Sequence, residues 1–169
     1  MKYFLDTEFF EDGKTIDLIS IGIKAEDGRE FYRCCSDADL KRAASDPWIN
    51  NNVLVHLPDE KSGAWSSKRD IAGDVERFLR AGGPDIEIWA YYADYDWVVF
   101  CQLFGRMIDL PIGFPMFCRD IKQLYEELGG QTVVGYLKPP DPIDAHDALA
   151  DARWNREFYS NLMSHVSDP

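Results

Sequence analysis

The stretch YFLDTEFF, residues 3–10, decides the fold of this 169-residue chain. Its apolar start is typical of a strand, yet the strand leads directly into Asp6, Thr7 and Glu8. Acidic residues are poor strand formers, and carboxylates beside an apolar core are costly unless something pairs with them. Residues two apart on a strand point to the same face, about 6.6 Å apart along it, so Asp6 and Glu8 converge while Thr7 points away. The stretch therefore predicts either a solvated strand end or a divalent cation between the two carboxylates.

The composition indicates a globular protein with one core. The length favours a single domain, which we place at residues 1–169. The hydrophobic fraction is 46%, and no apolar run approaches the roughly 20 residues of a membrane span. The N-terminus lacks the basic segment and cleavage site of a secretory signal, and the four cysteines lack the spacing of a zinc site. We therefore expect a cytoplasmic protein with reduced thiols and no membrane contact.

The net charge of −12 bears on the partners of the protein. A protein that coats long nucleic acid usually has a basic surface, and this sequence shows none. The acids either keep the protein in solution or surround metal ions, and the two roles are compatible. The charge therefore gives no sign of a surface that coats long nucleic acid.

The order of the predicted elements indicates a mixed sheet. Hydrophobic alternation predicts a strand at 2–8 and a hairpin of strands at 15–24 and 29–35, joined by the turn AEDG. The region 37–57 is ambiguous and offers two helices, and another helix follows at 66–79. The remaining elements are strands at 86–92 and 115–118, helices at 95–105, 119–130 and 146–166, and a loop at 129–145. Three antiparallel strands followed by helix-linked strands predict an α/β fold with helices on both faces of the sheet.

A second acid cluster, YADYD, ends the strand predicted at 86–92. It offers two carboxylates, Asp94 and Asp96. Aspartate is a favoured N-cap residue, so at least one of them is expected to cap the following helix, and both could do no more than that. The other carboxylate could face the carboxyl edge of the sheet beside Asp6, where the sites of open sheets gather.

The third cluster, HDALADARW, opens the last predicted helix. His146 and Asp151 are five residues apart, which places them about 140° apart around a helix, on the flanks of one broad side. A histidine at the start of a helix is often only a surface residue. Asp151, however, lies among small and apolar residues on a turn that faces the sheet, and there it needs a partner.

Taken in order, these three clusters resemble the motifs of the DEDDh family of 3′–5′ exonucleases, over nearly the whole chain. That family has Asp-x-Glu on the first strand, an Asp after an aromatic residue at a helix start, and His-x-Ala-x-x-Asp-Ala as its third motif. The third motif is matched by His146, Ala148, Asp151 and Ala152. The resemblance implies a ribonuclease H-like fold. It is strongest to the small mycobacterial-type polyadenylate-specific exoribonucleases and weaker to RNase T and oligoribonuclease.

The resemblance also implies four metal-binding acids and one catalytic histidine. These are Asp6, Glu8, Asp96, Asp151 and His146. Asp96 is the match in the second motif because Tyr95 fills the aromatic position before it, and Asp94 is the alternative. Many members of the family carry an Asn four residues before that acid, where this chain has Tyr92. The departure leaves all four acids intact and concerns only how the substrate or the strand end is held.

The activity implied by the resemblance is 3′–5′ hydrolysis of single-stranded RNA or of 3′ overhangs, with release of nucleoside 5′-monophosphates. Two Mg²⁺ or Mn²⁺ ions would bind the acids, because oxygen ligands favour these hard cations. His146 would accept the proton of the attacking water. The resemblance also implies a homodimer.

Two points stay open in the sequence. Phe9 and Phe10 follow the metal pair and could stack on the terminal base, or at least one of them belongs to the core. The motifs do not distinguish RNA from DNA, so a DNA exonuclease is the nearest alternative. A non-catalytic binding module on the same fold is a more distant one.

Overall fold

A mixed sheet of six strands forms the centre of the protein, in a computed structural model that describes residues 1–167. The strands are β1 (Lys2–Glu11), β2 (Ile16–Ala25), β3 (Glu30–Cys35), β4 (Trp65–Ser66), β5 (Glu87–Ala90) and β6 (Arg119–Asp120). They lie in the order β4-β3-β2-β1-β5-β6. The first three pair antiparallel, and β4, β5 and β6 each run parallel to a neighbour. The predicted mixed sheet is therefore confirmed.

Helices cover both faces of this sheet, as predicted. They are α1 (Leu40–Ala43), α2 (Pro47–Asn52), α3 (Lys68–Arg80), α4 (Ala93–Phe104), α5 (Ile121–Glu127), α6 (Gly130–Val133) and α7 (Ala148–Ser167). The ambiguous region 37–57 thus forms two short helices. The last two residues of the predicted domain, 168–169, lie outside the described part of the chain.

The central strand β1 alternates between the two layers of the core. Tyr3 and Leu5 pack with residues of α3 and α4, whereas Phe4 packs with residues of α5 and α7. Burial on both faces explains the continuous apolar run at the start of this strand. Because side chains alternate along a strand, Asp6 and Glu8 continue the row of Phe4 on the face that α7 covers.

Some predicted boundaries were wrong. The strand predicted at 115–118 is formed instead by Arg119–Asp120, and β4 was not predicted at all. Two-residue strands carry no alternation that a sequence pattern can detect. The segment 129–145, predicted as a loop, contains α6 and a 3₁₀ turn at Gly135–Leu137. Such short helices have too few residues to show a helical period.

All four cysteines are free thiols, and three of them are buried. Within the described residues, no helix has the length and apolar character that a membrane crossing demands.

The last helix approaches β2 unusually closely at one glycine. A Cβ placed on Gly22 would overlap the backbone carbonyl of Ala148 and lie 2.5 Å from the amide nitrogen of Leu149. Gly22 is paired with Asp6 in the register of β1 and β2. The missing side chain therefore lets the first turn of α7 lie directly beside the strand that carries the acid pair.

We predict that Gly22→Ala lowers the free energy of unfolding by about 1–3 kcal/mol, because the added methyl group overpacks this contact. It should also displace the first turn of α7. Gly63→Ala is the matched control, since a Cβ there meets nothing within 4 Å. Urea unfolding of both variants checks the expectation, and equal midpoints would contradict it.

Candidate active site

The five residues expected to form the site line one cleft of about 530 Å³. They come from three places in the chain. Asp6 and Glu8 lie on β1, Asp96 on α4, Asp151 on α7 and His146 just before α7. Residues far apart in the sequence therefore meet beside the middle of β1, just beyond its pairing with β5.

The edge of β1 beyond its pairing with β5 positions one of these acids. The pairing ends at Phe4, so the backbone groups that follow need other partners. The carbonyl of Leu5 accepts a hydrogen bond from Nδ2 of Asn155 at 2.9 Å. The amide and the hydroxyl of Thr7 both donate to Oδ1 of Asp96, each at 2.7 Å. Asp96 is thereby fixed to the strand that carries the other two acids.

The start of α4 differs from the prediction that an aspartate caps it. The N-cap residue is Tyr92, which has φ 58° and makes no capping hydrogen bond with its side chain. The amide of Ala93 donates instead to the carboxylate of Asp120, at 3.3 Å. Asp96 is buried and lines the cleft, whereas Asp94 is exposed and is not among the lining residues. The geometry therefore favours Asp96 over the alternative, Asp94.

His146 lies in a turn and not on the last helix, so the predicted separation of 140° was wrong. Asp147 ends the turn by accepting hydrogen bonds from the amides of Leu149 and Ala150, at 3.1 and 2.9 Å. His146 has φ 71°, and its amide donates to Oδ2 of Asp151 at 2.8 Å. The turn brings these two residues together, where a continuous helix would have separated them.

Three of the site residues form a group that fits a metal ion. One ligand atom from each of Glu8, His146 and Asp151 lies within 4.8 Å of the others. Two carboxylates and an imidazole supply the oxygen and nitrogen donors that divalent ions use.

The pKa values of the four acids are all raised, which also favours a bound cation at this site. Burial, together with the charges of Asp96 and Glu8, holds the pKa of Asp6 well above its usual range. Burial and the nearby carboxylates raise the pKa of Glu8 to about 8. Burial raises the pKa of Asp96 to about 7, although the hydrogen bonds from Thr7 oppose the shift. Burial also raises the pKa of Asp151, against the hydrogen bond from the His146 amide. A bound cation relieves this kind of repulsion.

Aromatic rings line the cleft. Of the two phenylalanines that could stack on a base, Phe9 lies in the cleft and Phe10 does not. Phe9 lines the cleft and stacks on Tyr95, with ring centroids 5.5 Å apart and planes at 6°. Phe10 packs in a separate core cluster, with the guanidinium of Arg42 over its ring at 5.1 Å, and is not among the lining residues. Trp48, on α2, contacts the ring of His146 edge-on at 4.8 Å.

Several residues of the site were missed in the sequence. Asn155 falls on the apolar stripe of α7 between Ala152 and Tyr159. A polar residue in such a stripe could have indicated a buried hydrogen bond, here the one to the carbonyl of Leu5. Asp120, which accepts from the amide of Ala93, lies inside the helix predicted at 119–130, and the structure makes it the N-cap of α5 instead. Trp48 lies in the ambiguous region 37–57, and nothing in the sequence pattern pointed to it.

The order of the strands is that of the ribonuclease H-like fold, and the candidate acids gather where the pairing of β1 with β5 ends. A solved structure of S. pombe Pop2p, in a form with Mg²⁺ and Mn²⁺ bound, matches with a TM-score of 0.67 at 14% identity. The match covers 99% of this chain and 84% of that one. The predicted ribonuclease H-like fold is therefore confirmed.

Sequence comparison identifies the family. Residues 1–163 match the family described as 3′-5′ exoribonuclease Rv2179c-like domain. Two proteins of Mycobacterium tuberculosis, 3′-5′ exoribonuclease MT2234.1 of strain CDC 1551 and 3′-5′ exoribonuclease Rv2179c of strain H37Rv, are each 49% identical over 154 residues. Each match covers 90% of this chain and 88% of the relative. The chain belongs to this family of 3′–5′ exoribonucleases.

The acid cluster makes stability depend on pH when divalent ions are removed by a chelator. The pKa of Glu8 in the folded protein is about 8, above its ordinary value of 4.5. Between these values the folded protein keeps a proton that the unfolded chain has released, so stability falls as pH rises. We predict a lower melting temperature at pH 8 than at pH 5.5 in chelator.

Glu8→Gln should reduce this dependence, because the amide does not titrate, whereas the other acids with raised pKa values, Asp6, Asp96 and Asp151, keep their part of it. Asp94→Asn is the matched control and should keep the slope of the unmutated protein. Added Mn²⁺ should stabilise more at pH 8 than at pH 5.5, since protons compete with the ion for the carboxylates. Identical slopes for the unmutated protein and for Glu8→Gln, measured by thermal melts across this range, would contradict the assignment.

Proposed function

We propose that this chain hydrolyses single-stranded RNA or 3′ overhangs from the 3′ end and releases nucleoside 5′-monophosphates with the help of two divalent cations. The observation that carries the proposal is the convergence of four carboxylates and one histidine in a single cleft. Membership of a family of 3′–5′ exoribonucleases supports RNA as the substrate.

The residues of the cleft fit the proposed cations. Asp6, Glu8, Asp96 and Asp151 would hold two Mg²⁺ or Mn²⁺ ions, which carboxylate oxygens favour. Pop2p, the structural relative with bound Mg²⁺ and Mn²⁺, supports this choice of ions. When bound, such ions activate water and stabilise the leaving oxygen of a phosphodiester.

The protein supplies the proton acceptor and the grip on the terminal nucleotide. His146 accepts the proton of the attacking water, and its turn, fixed to Asp151 and in contact with Trp48, orients its ring for this role. The stacked pair of Phe9 and Tyr95 lies beside the acids and offers a flat surface for the terminal base. We also propose that the protein forms a homodimer and acts in the cytoplasm.

The direct test compares degradation of end-labelled RNA and DNA of the same sequence, with Mn²⁺ or Mg²⁺. The unmutated protein should shorten the RNA from its 3′ end one nucleotide at a time, and faster than the DNA. Asp96→Asn should lower the rate at least about 100-fold, because a ligand is lost. Asp94→Asn should retain the rate, because that carboxylate lies outside the cleft. Equal rates for the two variants would refute the assignment, and faster DNA degradation would point to a DNA exonuclease.

His146→Ala should lower kcat by about 10²- to 10⁴-fold, the usual contribution of a general base. Single-turnover measurements at saturating Mn²⁺ check this effect. An unchanged rate would assign the proton transfer to another group.

A short grip on RNA predicts a weak dependence on salt. Each phosphate contact in single-stranded binding adds about 0.7 to the slope of log affinity against log salt. With a net charge of −12, we expect a slope that corresponds to a few contacts. A slope equivalent to about eight or more contacts would contradict a grip confined to the last few nucleotides.

A further inference from the structure

The charges that line the cleft are strongly unequal. Within residues 1–167, the lining side chains include five carboxylates and one lysine, with no arginine. The carboxylates are Asp6, Glu8, Asp96, Asp141 and Asp151, and the lysine is Lys138. RNA brings a negative charge at every phosphate. The four proposed metal ligands are balanced by two divalent cations, so Lys138 is the positive charge left for a phosphate that the ions do not contact.

Lys138 is held in a defined position in the cleft. Its ammonium group lies 5.5 Å from the ring centroid of Trp154 and 5.9 Å from that of Tyr91. Cation–π contacts of this kind orient a cation without neutralising its charge. The ion pair with Asp141 is long, at 3.7 Å, and the carboxylate is 80% exposed. An exposed pair of this kind is weak, so a phosphate can take its place.

The backbone around Lys138 is fastened on both sides by the last helix. Nδ2 of Asn161 donates to the carbonyl of Leu137 at 3.0 Å, one residue before the lysine. Nε1 of Trp154 donates to the carbonyl of Pro140 at 3.0 Å, two residues after it. The same helix carries Asp151. The position of the lysine is therefore fixed relative to the acids, which lowers the entropic cost of binding a ligand.

We infer that Lys138 binds a phosphate of the RNA backbone in the cleft and positions the substrate. The inference rests on the proposed function. It assigns Lys138 to substrate binding and not to the chemical step. The competing role is structural, with the lysine stem covering the rings of Tyr91 and Trp154.

The test compares Lys138→Gln and Lys138→Arg with Lys14→Gln, which removes an exposed lysine outside the cleft. Affinity for end-labelled single-stranded RNA is measured in Ca²⁺, whose looser coordination disfavours the reaction, at several salt concentrations. Lys138→Gln should weaken binding about tenfold or more, the usual effect of losing a charge-assisted hydrogen bond. It should also reduce the salt slope by about 0.7, one phosphate contact.

The Arg variant should keep the slope, and Lys14→Gln should match the unmutated protein. In Mn²⁺, Lys138→Gln should raise KM with little change in kcat, because the contact is made equally in the ground and transition states. An unchanged salt slope, or a lower melting temperature with the slope intact, would overturn the inference in favour of a packing role. If the unmutated protein does not degrade RNA, the proposed function fails, and the binding data in Ca²⁺ still decide the role of Lys138.

Discussion

The pair of hydrogen bonds from Thr7 to Asp96 is the contact on which the candidate site depends. It exists because β5 stops pairing with β1 at Phe4, which leaves the backbone amide of Thr7 without a strand partner. The carboxylate of Asp96, on α4, accepts the hydrogen bond that a neighbouring strand would otherwise accept. The same acceptor that completes the sheet edge is thus one of the four clustered acids, so sheet geometry and site geometry cannot change independently.

The last helix supplies the second half of the arrangement. It lies against β2 at Gly22. Arg153, on the same helix, forms a bidentate ion pair with Glu30 of β3, at 2.8 and 2.7 Å. Hydrogen bonds from Arg153 and Lys24 lower the pKa of Glu30 to about 2. One rigid element therefore carries Asp151, fastens the segment with Lys138, and borders the turn with His146.

The sequence allowed much of this to be predicted, but not all. The convergence of Asp6 and Glu8 follows from the period of a strand, and a local rule suffices for it. The choice between Asp94 and Asp96 depends on where β5 ends, which is a matter of tertiary pairing. The predicted angle between His146 and Asp151 was wrong because α7 begins at Ala148, two residues later than the periodicity suggested, with Asp147 as its cap. Short elements and loop positions, such as those of β6 and Lys138, leave no periodic signal.

Tyr92 offers a practical consequence for anyone who engineers this protein. A tyrosine in the left-handed region is strained by about 1–2 kcal/mol. Tyr92 is 61% exposed, and its ring contacts that of Tyr91 edge-on, with centroids 4.6 Å apart. Asparagine tolerates this backbone conformation better. A substitution at Tyr92, in the lining of the cleft, is therefore the natural first choice for raising thermal stability, ahead of any change in the core.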